Sequence, residues 1–389
     1  TSLADGGLTV DMSRMRWVDV DADRASARVG PGCLLGDVDR ATQSYGLATV
    51  LGFISLTGVA GLTLGGGFGY LSRQFGWTVD NLEEVDIVTA DGKLRRAGPD
   101  EHGDLFWALR GGGGNFGAVT RFSFLLHEIG PLVTAGIVAW DAEEIDSVLA
   151  LYRELSEAAP RQLTLHLLMQ LAPAAPFIPE SWQGRPIISV IACHTGDADD
   201  ADKALAPLRA FRTPIADTIR RTPYVEHQTT FDAGQPDGLH QYWKSEFVAR
   251  LSGGFLAVLR QQAVAITSPG CQLWLVQLGG AVGDRGDDAT PFANRDAEYI
   301  CMAASSWPAD AAHGLRRREW ARSAWEAVRP YSGGGNYVNV QTADEDDKRM
   351  REAYGPNLAR LAEVKARYDP DNLFRVNRNI APWQGPRGA

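Results

Sequence analysis

Strict alternation of apolar and polar residues marks the strands of this chain. Leu163, Leu165, Leu167, Met169 and Leu171 form one apolar face and leave Thr164, His166 and Gln170 on the other. Similar patterns predict strands at residues 8–12, around 27–29, at 186–195, 272–282, 298–306 and 337–340. Phe122, Phe124 and Leu126 line one face of a further strand over 119–126. Val85, Ile87 and Val88, then Asp91-Gly92 and a run at Leu94, predict a hairpin with a tight turn. Helical spacing takes over at Leu34, Leu35, Val38, Ala41 and Tyr45, with Gly46 as the stop, and again at Ile145, Val148, Leu149, Tyr152 and Leu155. Other helices are predicted over 104–110, near Asp197, Gly254 and Asp310, and over 356–368, before Pro370.

Two glycine-rich stretches interrupt this pattern. The first has glycine at 52, 58, 61, 65, 66, 67 and 69, with Leu56, Val59, Leu62, Leu64 and Phe68 interspersed. A flexible linker lacks such apolar spacing, so the stretch reads as a packed loop whose backbone N–H groups approach a ligand. The alternative is a tight crossing that binds nothing. The second stretch contains Gly112-x-Gly114-x-x-Gly117. A helix precedes it and a strand follows, the reverse of a Rossmann dinucleotide motif, which leaves a backbone cofactor pocket or a turn that needs positive φ.

Composition narrows the chemistry. A length of 389 residues predicts two domains, and the pattern shifts at Gly130-Pro131 to a mixed α/β module with antiparallel pairing. Acidic residues outnumber basic ones 48 to 38, net charge −10, and no Lys/Arg run is interleaved with aromatics, which argues against nucleic acid and for a small-molecule ligand. No apolar run reaches the ~18 residues of a membrane span. Cys33, Cys193, Cys271 and Cys301 are scattered, which indicates neither a disulfide framework nor a zinc or other metal site and fits reduced thiols of a cytoplasmic protein. The chain opens at Thr1 in mid-pattern without Met, so further residues are expected upstream.

Three separated motifs coincide: Thr57-Gly58-Val59-Ala60-Gly61-Leu62-Thr63-Leu64-Gly65-Gly66-Gly67-Phe68-Gly69; Asp104-Leu105-Phe106-Trp107-Ala108-Leu109-Arg110 running through Gly111 to Asn115-Phe116-Gly117; and Tyr368-Asp369-Pro370-Asp371-Asn372-Leu373-Phe374 running to Pro382. Together they resemble the berberine-bridge-enzyme-like FAD-linked oxidases of the vanillyl-alcohol oxidase fold, over essentially the whole chain. The resemblance implies an α+β fold of two domains, with an FAD domain built from residues 1–129 and 336–389 and a substrate domain, an antiparallel sheet with helices, inserted at 130–335. It implies FAD contacts from Gly52, Thr57, Gly58, Gly61, Gly65, Gly66, Gly67, Gly69, Asn81, Gly117-Ala118-Val119, Tyr337, Asn339, Asn377 and Asn379.

The sequence departs from the family in three places. The segment whose histidine carries flavin covalently would lie just upstream of Thr1. Thr57 stands where doubly linked members have cysteine, so only a histidyl link is open. Trp274 stands where bacterial members place a glutamate, which removes the usual base. The expected activity is hydride transfer from an alcohol or activated C–H of an aromatic or polyketide-like metabolite to FAD, with dioxygen as acceptor. Tyr337 is the candidate for proton handling, with His166 second, and Trp274, Gln277 and Leu168 are expected to shape the substrate pocket. The competing reading is a flavoprotein that sequesters an aromatic product.

Overall fold

The alternation over 163–171 becomes the middle of an antiparallel sheet buried on both faces. A computed structural model describes residues 6–309, 314–342, 344–345, 347–375 and 378–385. The sheet runs in the order Ala216–Asp217, Leu132–Asp141, Pro186–His194, Leu163–Leu171, Cys271–Gln277, Tyr299–Pro308 and Leu239–Val248, with Arg220–Pro223 also paired to Leu132–Asp141. Leu163, Leu165, Leu167 and Met169 pack against Ile145–Ala158, Gly253–Val264 and Gly314–Val328. The face with His166 and Leu168 is also buried, against Phe53, Phe68, Tyr70, Trp77 and Tyr337 from the other part of the molecule. Polar residues on that face therefore look into protein instead of solvent.

A second antiparallel sheet has the order Val18–Asp21, Ser26–Val29, Ala118–Leu125, Leu82–Val88 and Leu94–Ala97. The predicted hairpin forms its edge. Phe122 and Phe124 lie in its core with the helices Leu35–Gln43, Gly103–Leu109 and Leu358–Tyr368. Helix Leu358–Tyr368 returns from the far end of the sequence and locks there through two contacts. Tyr368 Oη donates to Asp104 Oδ1 at 2.9 Å, and the buried Lys365 Nζ donates to Asn115 O at 2.7 Å and to Asp369 Oδ2 at 2.5 Å. Asp369 also accepts the N–H groups of Leu373 and Phe374, both at 2.8 Å. The second and third motifs thus form one structural unit.

Several expectations need correction. Residues 8–12 form no strand: Leu8 and Val10 stand 93% and 62% exposed, and alternation holds a strand only where a sheet covers one face. Val338–Val340 is a 3₁₀ turn, and the strand over 272–282 ends at Gln277 before a second 3₁₀ turn, Gly280–Asp284. The strand Leu239–Val248 carries Lys244, Ser245 and Glu246 in its interior, which hid it from a hydrophobic pattern. A short helix, Val59–Leu64, sits inside the first glycine stretch. Among the described residues no helix is long and apolar enough to cross a membrane, and all four cysteines are buried and free.

Candidate active site

The two glycine stretches and the segment after Gly335 meet around a cavity of about 500 Å³. Its walls include Thr57, Gly58, Gly61 and Gly65 from the first stretch, Gly113 and Gly114 from the second, and Asn339, Gln341 and Arg378 from the C-terminal part. Helix Val59–Leu64 presents its first turn here: Val59 N–H donates to Cys33 O at 2.9 Å and Leu62 N–H to Gly58 O at 3.3 Å, which leaves the N–H groups of Ala60 and Gly61 without a carbonyl among the described residues. A Cβ built at Gly58 or Gly61 would meet nothing within 4 Å, so the protein's own packing does not require glycine at either position. Gln341 Oε1 is buried without a partner among the described residues. An open glycine wall, free N–H groups, an unpaired amide oxygen and the Arg378 guanidinium fit a long ligand with phosphates and a polar ring system, as FAD has.

The other glycines of the first stretch serve the chain itself. Gly67 has φ +76°, and a Cβ there would fall 2.3 Å from Thr78 Oγ1; Gly66, also at positive φ, faces Phe292. Gly69 and Gly117 press on the carbonyls of Leu51 and Val88, and Gly52 packs between Leu35 and Leu62. Val119 is a core residue of the smaller sheet. The amide of Asn81 is consumed by protein: Nδ2 donates to the carbonyls of Phe75 and Trp77, and Oδ1 lies 2.6 Å from His127 Nε2. None of these seven residues lines this cavity. Asn379 is exposed and its neighbour Arg378 lines the cavity; Asn377 lies outside the described residues.

Asn339 connects this cavity to the larger sheet. Its Nδ2 donates to Tyr337 Oη at 2.8 Å and to Leu62 O at 2.9 Å. Tyr337 Oη also accepts the Gly67 N–H at 3.1 Å. Burial pushes the Tyr337 phenol well above its ordinary pKa, and these two donors only partly oppose that shift. Burial thus favours the neutral phenol, whose oxygen is positioned by the N–H of Gly67 and the amide of Asn339. Tyr337 packs on Phe68 at 4.8 Å, Phe68 on Phe53 at 6.0 Å, and Phe53 stacks on Trp274 at 5.8 Å. An aromatic wall thus runs from the cavity onto the sheet.

His166, Leu168 and Trp274 share that wall, since Trp274 pairs with Leu168 and Val276 with His166 in the ladder. Trp274 Nε1 donates to Gln272 Oε1 at 3.0 Å. His166 Nδ1 accepts the Gln277 N–H at 3.3 Å, which assigns the ring proton to Nε2, where no partner lies among the described residues. Burial, with His227 nearby, lowers the His166 pKa to about 3. His166 is consequently a neutral imidazole in this geometry, with Nε2 as its free donor among the described residues. Gln277 points the other way: Oε1 accepts Leu165 N–H at 2.8 Å and Nε2 donates to Ser156 O at 2.7 Å, under the helices. It braces the sheet and does not shape the pocket, because one step along a strand reverses the face. Phe53, Tyr70, His227, Gln341 and Arg378 had no signal in the sequence. They sit in loops or a one-turn helix, where neither period applies.

Comparison with known proteins agrees with this geometry. The FAD binding domain family matches residues 1–98, and the berberine and berberine-like family matches residues 336–381. The chain is 30% identical to an FAD-linked oxidoreductase of Dictyostelium discoideum over 387 residues, 98% of this chain and 81% of that protein. It is also 30% identical to (R)-6-hydroxynicotine oxidase of Paenarthrobacter nicotinovorans, over 97% of this chain and 82% of that one. The crystal structure of 6-hydroxy-D-nicotine oxidase from Arthrobacter nicotinovorans superposes with a TM-score of 0.84 at 26% identity, over 98% and 84% of the two chains. The Physcomitrella patens berberine-bridge-enzyme-like protein 1 shares the fold, with a TM-score of 0.83 at 21% identity over 96% of this chain and 80% of that one.

Proposed function

Because this chain belongs to the berberine-bridge-enzyme-like FAD-linked oxidoreductases, we propose that it oxidises an aromatic or polyketide-like metabolite at an alcohol or activated C–H, with dioxygen as acceptor. The observation that carries this reading is the continuity between the glycine-walled cavity and the aromatic face of the larger sheet, joined at Asn339 and Tyr337. FAD, when bound, accepts the hydride and passes the electrons on. Gly58, Gly61, Gly113, Gly114 and Arg378 would hold its phosphate-bearing part, and Asn339 and Gln341 its polar ring edge. Thr57 cannot form a thioether, so a histidyl bond from upstream of residue 1 is the attachment we propose.

The substrate part is taken as residues 130–335. Phe53 and Trp274 offer flat apolar surface for a ring. No carboxylate stands on the Trp274 strand, Cys271–Gln277, to take the substrate proton. An alcohol whose proton leaves through water suits this site. Anaerobic mixing of the FAD-loaded protein with a panel of aromatic alcohols tests the reading. Bleaching of the flavin absorbance, followed by oxygen consumption on aeration, is expected. A flavin that no aromatic alcohol bleaches would overturn it.

A further inference from the structure

Behind the Phe53 and Trp274 wall lies a cluster of buried polar atoms that the proposed chemistry does not use. Tyr70 Oη, His166 Nε2, His227 Nε2, Tyr224 Oη and Thr222 Oγ1 are all buried without a hydrogen-bond partner among the described residues. The rings are neighbours: Tyr70 lies 5.7 Å from His166 and 4.2 Å from His227. Each unpaired buried polar atom costs about 1–3 kcal/mol, so a folded chain that keeps several on touching rings forgoes stability there. Groups of this kind are retained where something else supplies the missing partner.

Two features say what that partner is. The surrounding walls are aromatic, with Phe53 5.5 Å from His166 and Phe231 5.0 Å from Trp274. The histidines are neutral, since burial lowers both to a pKa of about 3, and Tyr70 is held as the phenol. Of the charged groups around the cluster, Arg73 donates to the carbonyls of Leu163, Leu278 and Ala159, Asp39 accepts from Gln228 through Oδ2 at 3.0 Å while its Oδ1 has no partner among the described residues, and Glu226 pairs with Arg220 at 2.5 Å. Neutral donors inside aromatic walls suit a neutral planar molecule with an oxygen substituent, and they select against an ion.

Access is also built in. His227 and Thr222 line a separate cavity of about 300 Å³ that reaches Phe177 and the Arg220–Glu226 pair. The segment that carries Tyr224, His227 and Phe231 closes over the cluster. It is fastened to the first glycine stretch by Asp232, which accepts the Ser55 N–H at 2.9 Å and Oγ–H at 2.5 Å, and by Gln228, which donates to Gly52 O at 3.0 Å. The same segment is also held by Gln228 Nε2 donating to Asp39 Oδ2 at 3.0 Å and by Tyr224 N–H donating to Pro131 O at 2.9 Å, so the cavity at His227 and Thr222 is the way in.

We infer that Tyr70 and His227 are specificity-determining residues that bind the oxygen substituent of a neutral aromatic substrate, reached beneath the 224–232 segment. The inference rests on the oxidase reading above and narrows its substrate class. The probes are 2-naphthol and naphthalene, with affinity for the FAD-loaded protein measured by equilibrium dialysis. Wild type is expected to prefer 2-naphthol by about tenfold, the value of one to two well-placed hydrogen bonds. Tyr70→Phe and His227→Leu should each reduce that preference to about threefold with FAD content unchanged. Tyr70→Phe removes only an unpartnered oxygen, so its melting temperature should not fall; it decides the matter alone if His227→Leu does not fold. Equal affinity for the two probes in wild type, or a preference that survives in Tyr70→Phe, overturns the inference. Flavin bleaching by aromatic alcohols without the naphthol preference defeats this site alone, whereas the preference without any bleaching defeats the oxidase reading alone.

Discussion

The phenol of Tyr337 accepts the backbone N–H of Gly67 at 3.1 Å, across 270 positions of sequence. That bond ties the C-terminal segment to the first glycine stretch and makes the phenol part of the scaffold. Tyr337→Phe leaves the Gly67 N–H buried and unpaired, and stability should fall by about 1–3 kcal/mol in urea unfolding. Flavin reduction should stay within about tenfold of wild type at equal FAD content. A larger kinetic loss would restore the phenol as the base.

Gly61 and Gly67 should respond in opposite ways to a side chain. Gly61 is helical with open space around its Cβ position, so Gly61→Ala should raise apoprotein stability by about 1 kcal/mol and Gly61→Leu should weaken FAD binding. Gly67→Val meets Thr78 at a left-handed backbone angle and should unfold the apoprotein itself. Apoprotein melting curves beside FAD titrations separate the cases. An apoprotein of Gly67→Val that melts like wild type would contradict this division.

Asp39 gives a stability effect with a definite sign. It is fully buried, Oδ1 has no partner among the described residues, and burial raises its pKa from 3.8 to about 7. A raised folded-state pKa means stability that is present below about pH 4 and lost as pH rises through 7. Asp39→Asn keeps an oxygen for Gln228 and removes the ionisation. It should be more stable than wild type at pH 8 and equal to it near pH 4; a constant difference across that range would contradict the assignment.

Lys365 holds the second and third motifs together with three bonds: to Asn115 O, Asp369 Oδ2 and Phe374 O. Lys365→Met leaves the Asp369 carboxylate buried without its cation, a change that typically costs about 3–5 kcal/mol. Lys365→Met/Asp369→Asn removes the uncompensated charge and keeps an oxygen for the N–H groups of Leu373 and Phe374, so it should recover part of that loss. Chemical unfolding of the two variants measures it, and equal losses would show that the ion pair is incidental.

Much of the fold was legible because it follows from local rules. The strand Leu163–Leu171, the hairpin at Asp91-Gly92, the helix Ile145–Ala158 and the reversed order around Gly117 each repeat a period or turn signal within a few residues. The glycine motifs likewise marked both walls of the cavity. What the pattern could not assign was direction. Gln277 and Trp274 lie three residues apart on one strand, so they point to opposite faces, and only the layers on each side make one a brace and the other a pocket wall. Gly61 and Gly67 look alike in sequence, yet one opens on a cavity and the other presses on Thr78. Asn81 had the chemistry of a flavin contact and spends it on Phe75, Trp77 and His127. Periodicity tells which residues share a face. What that face meets is decided by elements up to hundreds of residues away, because burial and hydrogen bonding are satisfied only when the whole chain has packed.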